Sequence, residues 1–253
     1  MQRTVYVNGQ YVPESEAKVS IFDRGYLFAD AVYEVTAVLN GRLVDFEAHL
    51  RRLRRSLEEI SLTLSLSDDD LLNMHRTLLS SNKLVEGMIY MQISRGEAER
   101  SFSFPADPKP VCVAFTQEKS MVSDPQAATG VSVVCIEDIR WKRCDIKTVS
   151  LLAASLCKNE AMRAGADDAW MTSEGKITEG TSNNAFIVTK EGEIITRSLG
   201  NDILPGITRS SVLELARQED LKMTERPFSI DEAHQASEAF ITSASAFVMP
   251  VVS

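Results

Sequence analysis

A polar stretch, Glu118–Gly130 (EKSMVSDPQAATG), interrupts the chain near its midpoint and shows neither helical nor strand periodicity. Short β-rich and helical segments flank it on both sides, so one continuous sheet or bundle does not account for the pattern. Two α/β-type domains are expected, residues 1–118 and 131–253, joined by a linker at 119–130, with a site where they meet.

Before the break, Thr4–Val7 and Gln10–Val12 alternate around Asn8-Gly9, which predicts a hairpin with a type I′ turn. Leu50, Leu53, Leu57 and Ile60 share one face of a helix that Asp45 is placed to cap. Arg51, Arg52, Arg54 and Arg55 stand between them, and for three of the four the pattern reads as a solvated basic face. Ser67 with Asp70 makes a capping-box pattern, and Met88–Ser94 and Val111–Thr116 read as strands. After the break come a strand at Val131–Glu137, a helix from about Val149 to Ala164 ended by Gly165, and a strand near Ala169–Thr172. Ile177–Gly180 reads as a strand end, and Phe186–Thr196 as a hairpin around Glu191-Gly192. A helix then begins near Ile207, and a last strand covers Ala239–Thr242.

Charge and composition exclude some functions. The 253 residues carry a net charge of −9, which argues against nucleic acid as a partner, because phosphate binding favours a basic face. The most apolar stretches, such as Val131–Ile136, fall far short of the ~20 residues a membrane span needs. MQRTVYVNGQ has no apolar signal-peptide core, so the expected location is the cytoplasm, where Cys112, Cys135, Cys144 and Cys157 remain free thiols. His49, His75 and His234 are too scattered for a metal site and read as surface or helix-face residues. P-loop, GxGxxG, HExxH and GxSxG motifs are all missing. Gly206-Ile207-Thr208 at a helix start suits either an anion or a plain chain break ahead of an ordinary cap. Glu179-Gly180-Thr181-Ser182-Asn183-Asn184 reads as a loop, and pattern alone does not distinguish Lys147 from other lysines.

Six blocks, in order, carry a resemblance. Cys144-Asp145-Ile146-Lys147 with Thr148–Leu152 is similar to the Schiff-base lysine segment of D-amino-acid aminotransferases. Thr178-Glu179-Gly180 through Phe186 resembles a TEGxxxN strand end, and Leu204-Pro205-Gly206-Ile207-Thr208-Arg209 a phosphate-binding turn. Phe240–Ser245 is similar to a second phosphate loop. Asp23-Arg24-Gly25 through Asp30-Ala31-Val32-Tyr33-Glu34 and Glu47–Leu53 match two motifs of the first half. The chain resembles the fold-type IV pyridoxal 5′-phosphate aminotransferase family, and most of all its D-amino-acid aminotransferases.

That resemblance implies a mixed α/β and α+β fold with a small N-terminal domain, a larger C-terminal domain with a β-barrel-like core, and the cofactor at their interface. It implies pyridoxal 5′-phosphate on Lys147, which also moves the substrate α-proton, and Glu179 facing the pyridine nitrogen. Arg52 and the Gly206–Thr208 turn, including Ile207, would hold the phosphate, with Leu204 on the ring face. Ser243 and Ala244 belong to the second phosphate loop, and Ala244 stands where relatives often present a hydroxyl. Tyr33 and Arg100 would grip a substrate carboxylate, with Phe102 where D-amino-acid enzymes have histidine. The expected substrates are a D-amino acid and a 2-oxo acid, and the expected assembly is a homodimer in which Arg100 serves the neighbouring subunit. The (R)-amine and branched-chain transaminases and aminodeoxychorismate lyase share the same cofactor face and remain alternatives. Relatives are expected to continue past Ser253 into a further hairpin and helix, so this chain reads as short at its C-terminal end.

Overall fold

The computed structural model describes residues 2–253, which divide into two compact units. The first comprises the chain up to Met121 together with Ile146–Ser150; the second holds Val122–Asp145 and Leu151–Ser253.

The first unit is built on a six-stranded sheet. Its strands are β1 (Thr4–Val7), β2 (Gln10–Pro13), β3 (Ala31–Leu39), β4 (Arg42–Leu43), β5 (Gly87–Ser94) and β6 (Val111–Glu118), in the order β2-β1-β6-β5-β3-β4. Asn8 and Gly9 both adopt positive φ (46° and 88°), the geometry a two-residue I′ hairpin requires. Three helices complete the unit: α1 (Arg24–Phe28), α2 (Phe46–Glu59) and α3 (Asp68–Asn82). Along β5, Ile89, Met91 and Ile93 are buried while Tyr90 and Gln92 are only partly so, as a period of two demands. The buried set meets Leu50, Leu53 and Leu57 of α2 and Leu71, Met74 and Leu78 of α3 in one core.

The second unit has two sheets. In the first, β10 (Asn184–Val188), β11 (Ile194–Thr196), β12 (Met223–Glu225), β13 (Glu238–Ser243) and β14 (Phe247–Val251) run in the order β12-β11-β10-β13-β14. In the other, β7 (Val133–Glu137) pairs in parallel with β8 (Asp168–Ser173), and β8 pairs antiparallel with β9 (Lys176–Gly180). The parallel pair needs a crossover, and α5 (Leu152–Arg163) lies in that connection. The other helices are α4 (Gln126–Thr129), α6 (Ile207–Gln218) and α7 (Ile230–Gln235).

Several expectations are corrected. Asp45 does not cap α2 with its side chain; it adopts φ 52°, and its carbonyl accepts from the Ala48 and His49 amides instead. The helix after Lys147 begins at Leu152 rather than Val149, because residues up to Val149 bond to β3. A further strand, β14, follows Ala239–Thr242; Pro250 within it disguised the strand signal, although proline is tolerated at a sheet edge. Of the surface and helix-face readings of the histidines, the helix-face one holds for His49 on α2 and His75 on α3, and both are buried.

Candidate functional site

The lysine segment joins the first unit through β3. Val32 and Thr148 form an antiparallel bridge; the Tyr33 amide donates to Lys147 O (2.9 Å) and the Val149 amide to Ala31 O (3.1 Å). The Lys147 amide donates to Ser56 Oγ at 3.3 Å, so the backbone is held through both its N–H and its C=O. Lys147 Nζ lies 4.2 Å from the centre of the Tyr33 ring. Tyr33 stacks on Tyr90 (5.5 Å), which stacks on Phe115 (5.0 Å), giving a row of three rings. Burial pushes the Tyr90 phenol up to about 12, so it stays protonated.

Glu34 follows Tyr33 and points to the opposite face of the strand. It is buried and receives Arg52 bidentately, Nε to Oε1 and Nη2 to Oε2, both at 2.8 Å. His49 Nδ1 lies 2.7 Å from Oε2. Arg52 is therefore not part of the solvated basic face; it is a buried, oriented guanidinium. Burial alone would raise the Glu34 carboxyl, but Arg52 and His49 outweigh it and hold it at about 2. A depressed carboxyl stabilises the fold above its unfolded value of 4.5 and loses that contribution as pH falls toward about 2. Glu34→Gln is expected to lower unfolding free energy at pH 7 by about 3–5 kcal/mol, because it strands a buried cation. The difference from wild type should shrink as pH falls below 4.5. Urea melts between pH 7 and pH 3 measure both; equal stability at pH 7 would contradict the assignment.

Arg100 and Phe102 lie in the loop between β5 and β6, both exposed, with Phe28 of α1 beside them.

In the second unit, Glu179 is the next-to-last residue of β9, a buried side chain with both oxygens occupied. Oε1 accepts from Arg140 Nη1, and Oε2 accepts from Asn184 Nδ2 (2.9 Å) and the Leu204 amide (3.0 Å). Arg140 also grips Asp138 through Nε (2.9 Å) and Nη2 (2.7 Å), so one guanidinium serves two carboxylates. Burial pushes the Glu179 carboxyl up to about 7, with Arg140 opposing and Asp138 adding to the rise. A carboxyl so poised can exchange a proton with a basic nitrogen beside it near neutral pH.

Asn184 ties Glu179 to the 204–206 turn, since the same Nδ2 also donates to Leu204 O at 3.0 Å. Gly206 must be glycine for close approach rather than for its φ of −65°: a Cβ there would fall 2.1 Å from Asn184 Oδ1. It leads into α6 with no side-chain cap, and the first helical bond runs from Ser210 N to Gly206 O (3.0 Å). The amides of Ile207 and Thr208 thus precede the ladder at the positive end of the helix, where an anion is favoured. Ser243 closes β13, Ala244 follows it, and Ser243 Oγ lies 3.5 Å from Ser245 Oγ.

Pattern reading overlooked Glu34, His49, Arg140 and Asn184. Glu34 had a signal, a charge at a buried register between Val32 and Thr36, which demands a partner. Arg140 had none.

Solved structures share this fold. A branched-chain amino acid aminotransferase from Escherichia coli superposes with a TM-score of 0.92 at 22% identity, covering 99% of this chain and 86% of that one. A putative 4-amino-4-deoxychorismate lyase from Legionella pneumophila does so with a TM-score of 0.83 at 23% identity, covering 94% and 87%. Fold and sequence together define a pyridoxal 5′-phosphate enzyme of the aminotransferase kind. The family model for amino-transferase class IV matches residues 31–253, and the chain belongs to that family. Curated D-alanine aminotransferases are similar along almost the whole chain: that of Staphylococcus aureus (strain MSSA476) is 40% identical over 98% of this chain and 88% of its own. That of Bacillus licheniformis is 39% identical over 98% and 87%.

Proposed function

We propose that this enzyme transfers the amino group of a D-amino acid to a 2-oxo acid. The observation that carries the reading is the 40% identity to D-alanine aminotransferases over 98% of the chain. The residues present fit the cofactor: an uncapped helix start for a phosphate, a buried carboxyl for a ring nitrogen, and a primary amine on a fixed backbone. When bound, pyridoxal 5′-phosphate supplies a carbonyl that condenses with amines and a ring that accepts electrons.

Each residue then has a task. Lys147 would hold the cofactor through its side-chain amine and would move the proton at the substrate α-carbon. Glu179 keeps the ring nitrogen protonated, and Arg140 and Asn184 hold its two oxygens in place. Arg52, oriented by Glu34, and the Gly206, Ile207 and Thr208 turn bind the phosphate, with Ser243 adding a hydroxyl that Ala244 lacks. Leu204 would pack on the ring face. Tyr33 and Arg100 bind the substrate carboxylate, and Phe102 makes that end of the pocket less polar.

We further propose a cytoplasmic homodimer in which Arg100 serves the neighbouring subunit. The free state of Cys112, Cys135, Cys144 and Cys157 suits a reducing compartment. A two-fold dimer is the commonest closed assembly.

A panel of D- and L-amino acids and (R)-amines against pyruvate and 2-oxoglutarate tests the substrate class. Exclusive turnover of L-branched-chain amino acids, or pyruvate release without an acceptor, would overturn it. Phe102, apolar and exposed, favours (R)-amines as a second reading. Arg100→Ala should raise KM for D-alanine about ten- to a hundredfold, the loss of one charge-assisted hydrogen bond, and leave (R)-1-phenylethylamine little changed. Mixing Arg100→Ala with Lys147→Ala subunits should restore D-alanine turnover if the arginine acts across a dimer; no recovery, or full activity of a sedimenting monomer, contradicts that arrangement.

A further inference from the structure

Arg100 stands near the outer end of an alternating stack of cations and rings. The Arg95 guanidinium carbon lies 3.6 Å from the centre of the Phe104 ring. Arg24 lies 5.6 Å from that same ring and 4.5 Å from Phe28. Arg100 lies 5.5 Å from the centre of the Phe28 ring and 6.0 Å from that of Phe102. Phe28 and Phe102 meet edge to face at 5.6 Å.

The inner end of the stack is fixed. Arg24 and Arg95 are both buried, and both donate Nε to Asp30 Oδ2, at 2.7 and 2.8 Å. Arg95 also donates to Ile60 O at 2.6 Å. Arg24 reaches into the loop itself, donating to Ser101 O at 2.6 Å and to Ser103 O at 3.4 Å, so the backbone on either side of Phe102 is tied down. Phe28 comes from α1, a single turn that Asp23 caps at one end (Gly25 N, 2.7 Å) and Ala29 closes at the other in the left-handed conformation.

The outer end is different. Among the described residues Arg100 has no hydrogen-bond or ion-pair partner, and the rings of Phe28 and Phe102 are its neighbours. A ring attracts a guanidinium through its face and uses none of its N–H groups, whereas a carboxylate would consume them. Stacking thus places the cation and keeps its donor edge open.

We propose that Phe28 is a positioning residue for substrate recognition: it holds Arg100 by its face so that the donor edge remains available to a substrate carboxylate. This rests on the assignment of Arg100 as the carboxylate-binding residue. Phe102, where D-amino-acid enzymes have histidine, then acts as the outermost ring of the stack.

The test uses Phe28→Leu, which keeps apolar bulk without a ring, and Phe28→Tyr, which keeps the ring. Steady-state kinetics of the holoenzyme with D-alanine and with (R)-1-phenylethylamine are read beside amide hydrogen exchange of residues 97–105, with and without cofactor. A single cation–π contact is worth a few-fold to about thirtyfold in an equilibrium. Phe28→Leu should raise KM for D-alanine about three- to tenfold with kcat little changed, and speed exchange in the loop. Phe28→Tyr should restore both, and Phe28→Leu should add nothing in an Arg100→Ala background. A raised KM in Arg100→Ala with wild-type KM and exchange in Phe28→Leu would overturn the role of Phe28 alone. An equal rise for D-alanine and the amine would also overturn it, as a general loss of structure. No change in Arg100→Ala would instead remove the carboxylate-binding assignment, and the role of Phe28 with it.

Discussion

Lys147→Ala is expected to abolish transamination while leaving the protein folded. Proton transfer by a positioned base contributes roughly 10²–10⁴-fold on its own, and loss of the covalent cofactor link adds to that. The fold should survive because the segment is held by its backbone: Lys147 O accepts from Tyr33 N, and Lys147 N donates to Ser56 Oγ, neither of which needs the side chain. Lys147 is half-buried and touches the Tyr33 ring, so the melting temperature should move by only a few degrees. Borohydride reduction of the wild-type enzyme, followed by peptide mapping, should place the pyridoxyl group on Lys147. A label on another lysine would sink the assignment.

Glu179→Gln should keep the cofactor and lose most turnover. Removing one preorganised electrostatic partner typically lowers kcat by about 10²–10³. The amide is isosteric and can still accept from the Leu204 amide; its NH2 then faces Arg140 Nη1, whose charge remains paired with Asp138. Near-wild-type turnover in this variant would refute the role. A second signature needs no turnover. In cofactor-free protein, burial raises the Glu179 carboxyl from 4.5 to about 7 against the pull of Arg140. A raised carboxyl contributes stability that is fully present below its unfolded value and is lost as pH rises through its folded one. The unfolding free energy of the cofactor-free wild type, read from urea melts, should therefore fall relative to Glu179→Gln between pH 4.5 and pH 7, by up to about 3 kcal/mol. Bound cofactor should remove that slope, because a protonated nitrogen beside the carboxylate offsets the cost of ionising it.

Local rules were legible where one interaction decides the outcome. Asn8-Gly9 turns as expected, and the Ser67–Asp70 capping box forms in both directions. The leucine stripe of α2 enters the core. The lysine segment shows the limit: Ile146–Ser150 has no alternation or charge that marks it as a partner for β3, and Lys147 stands out only by family resemblance. Arg52 looked like the other arginines of α2 because a run of arginines says nothing about depth; Glu34, far away in sequence, decides it. Arg140 was hidden for the same reason, since Glu179 lies 39 positions on and only the fold brings the two together.

The pairing of Ile146–Ser150 with β3 also bears on the order in which the chain can be completed. During synthesis from the N-terminus, the first 121 residues emerge carrying all six strands of their sheet. The Tyr33 amide and the Ala31 carbonyl nevertheless await partners that are translated only at Lys147 and Val149. Such a long sequence separation is costly to close, and an open strand edge meanwhile is a site for wrong pairings. A fragment ending at the polar break would therefore lack both the bridge that covers the start of β3 and the lysine. The lysine proposed to carry the cofactor and the finishing of the first unit thus lie in the same five residues, and neither is available to a nascent chain shorter than about 150.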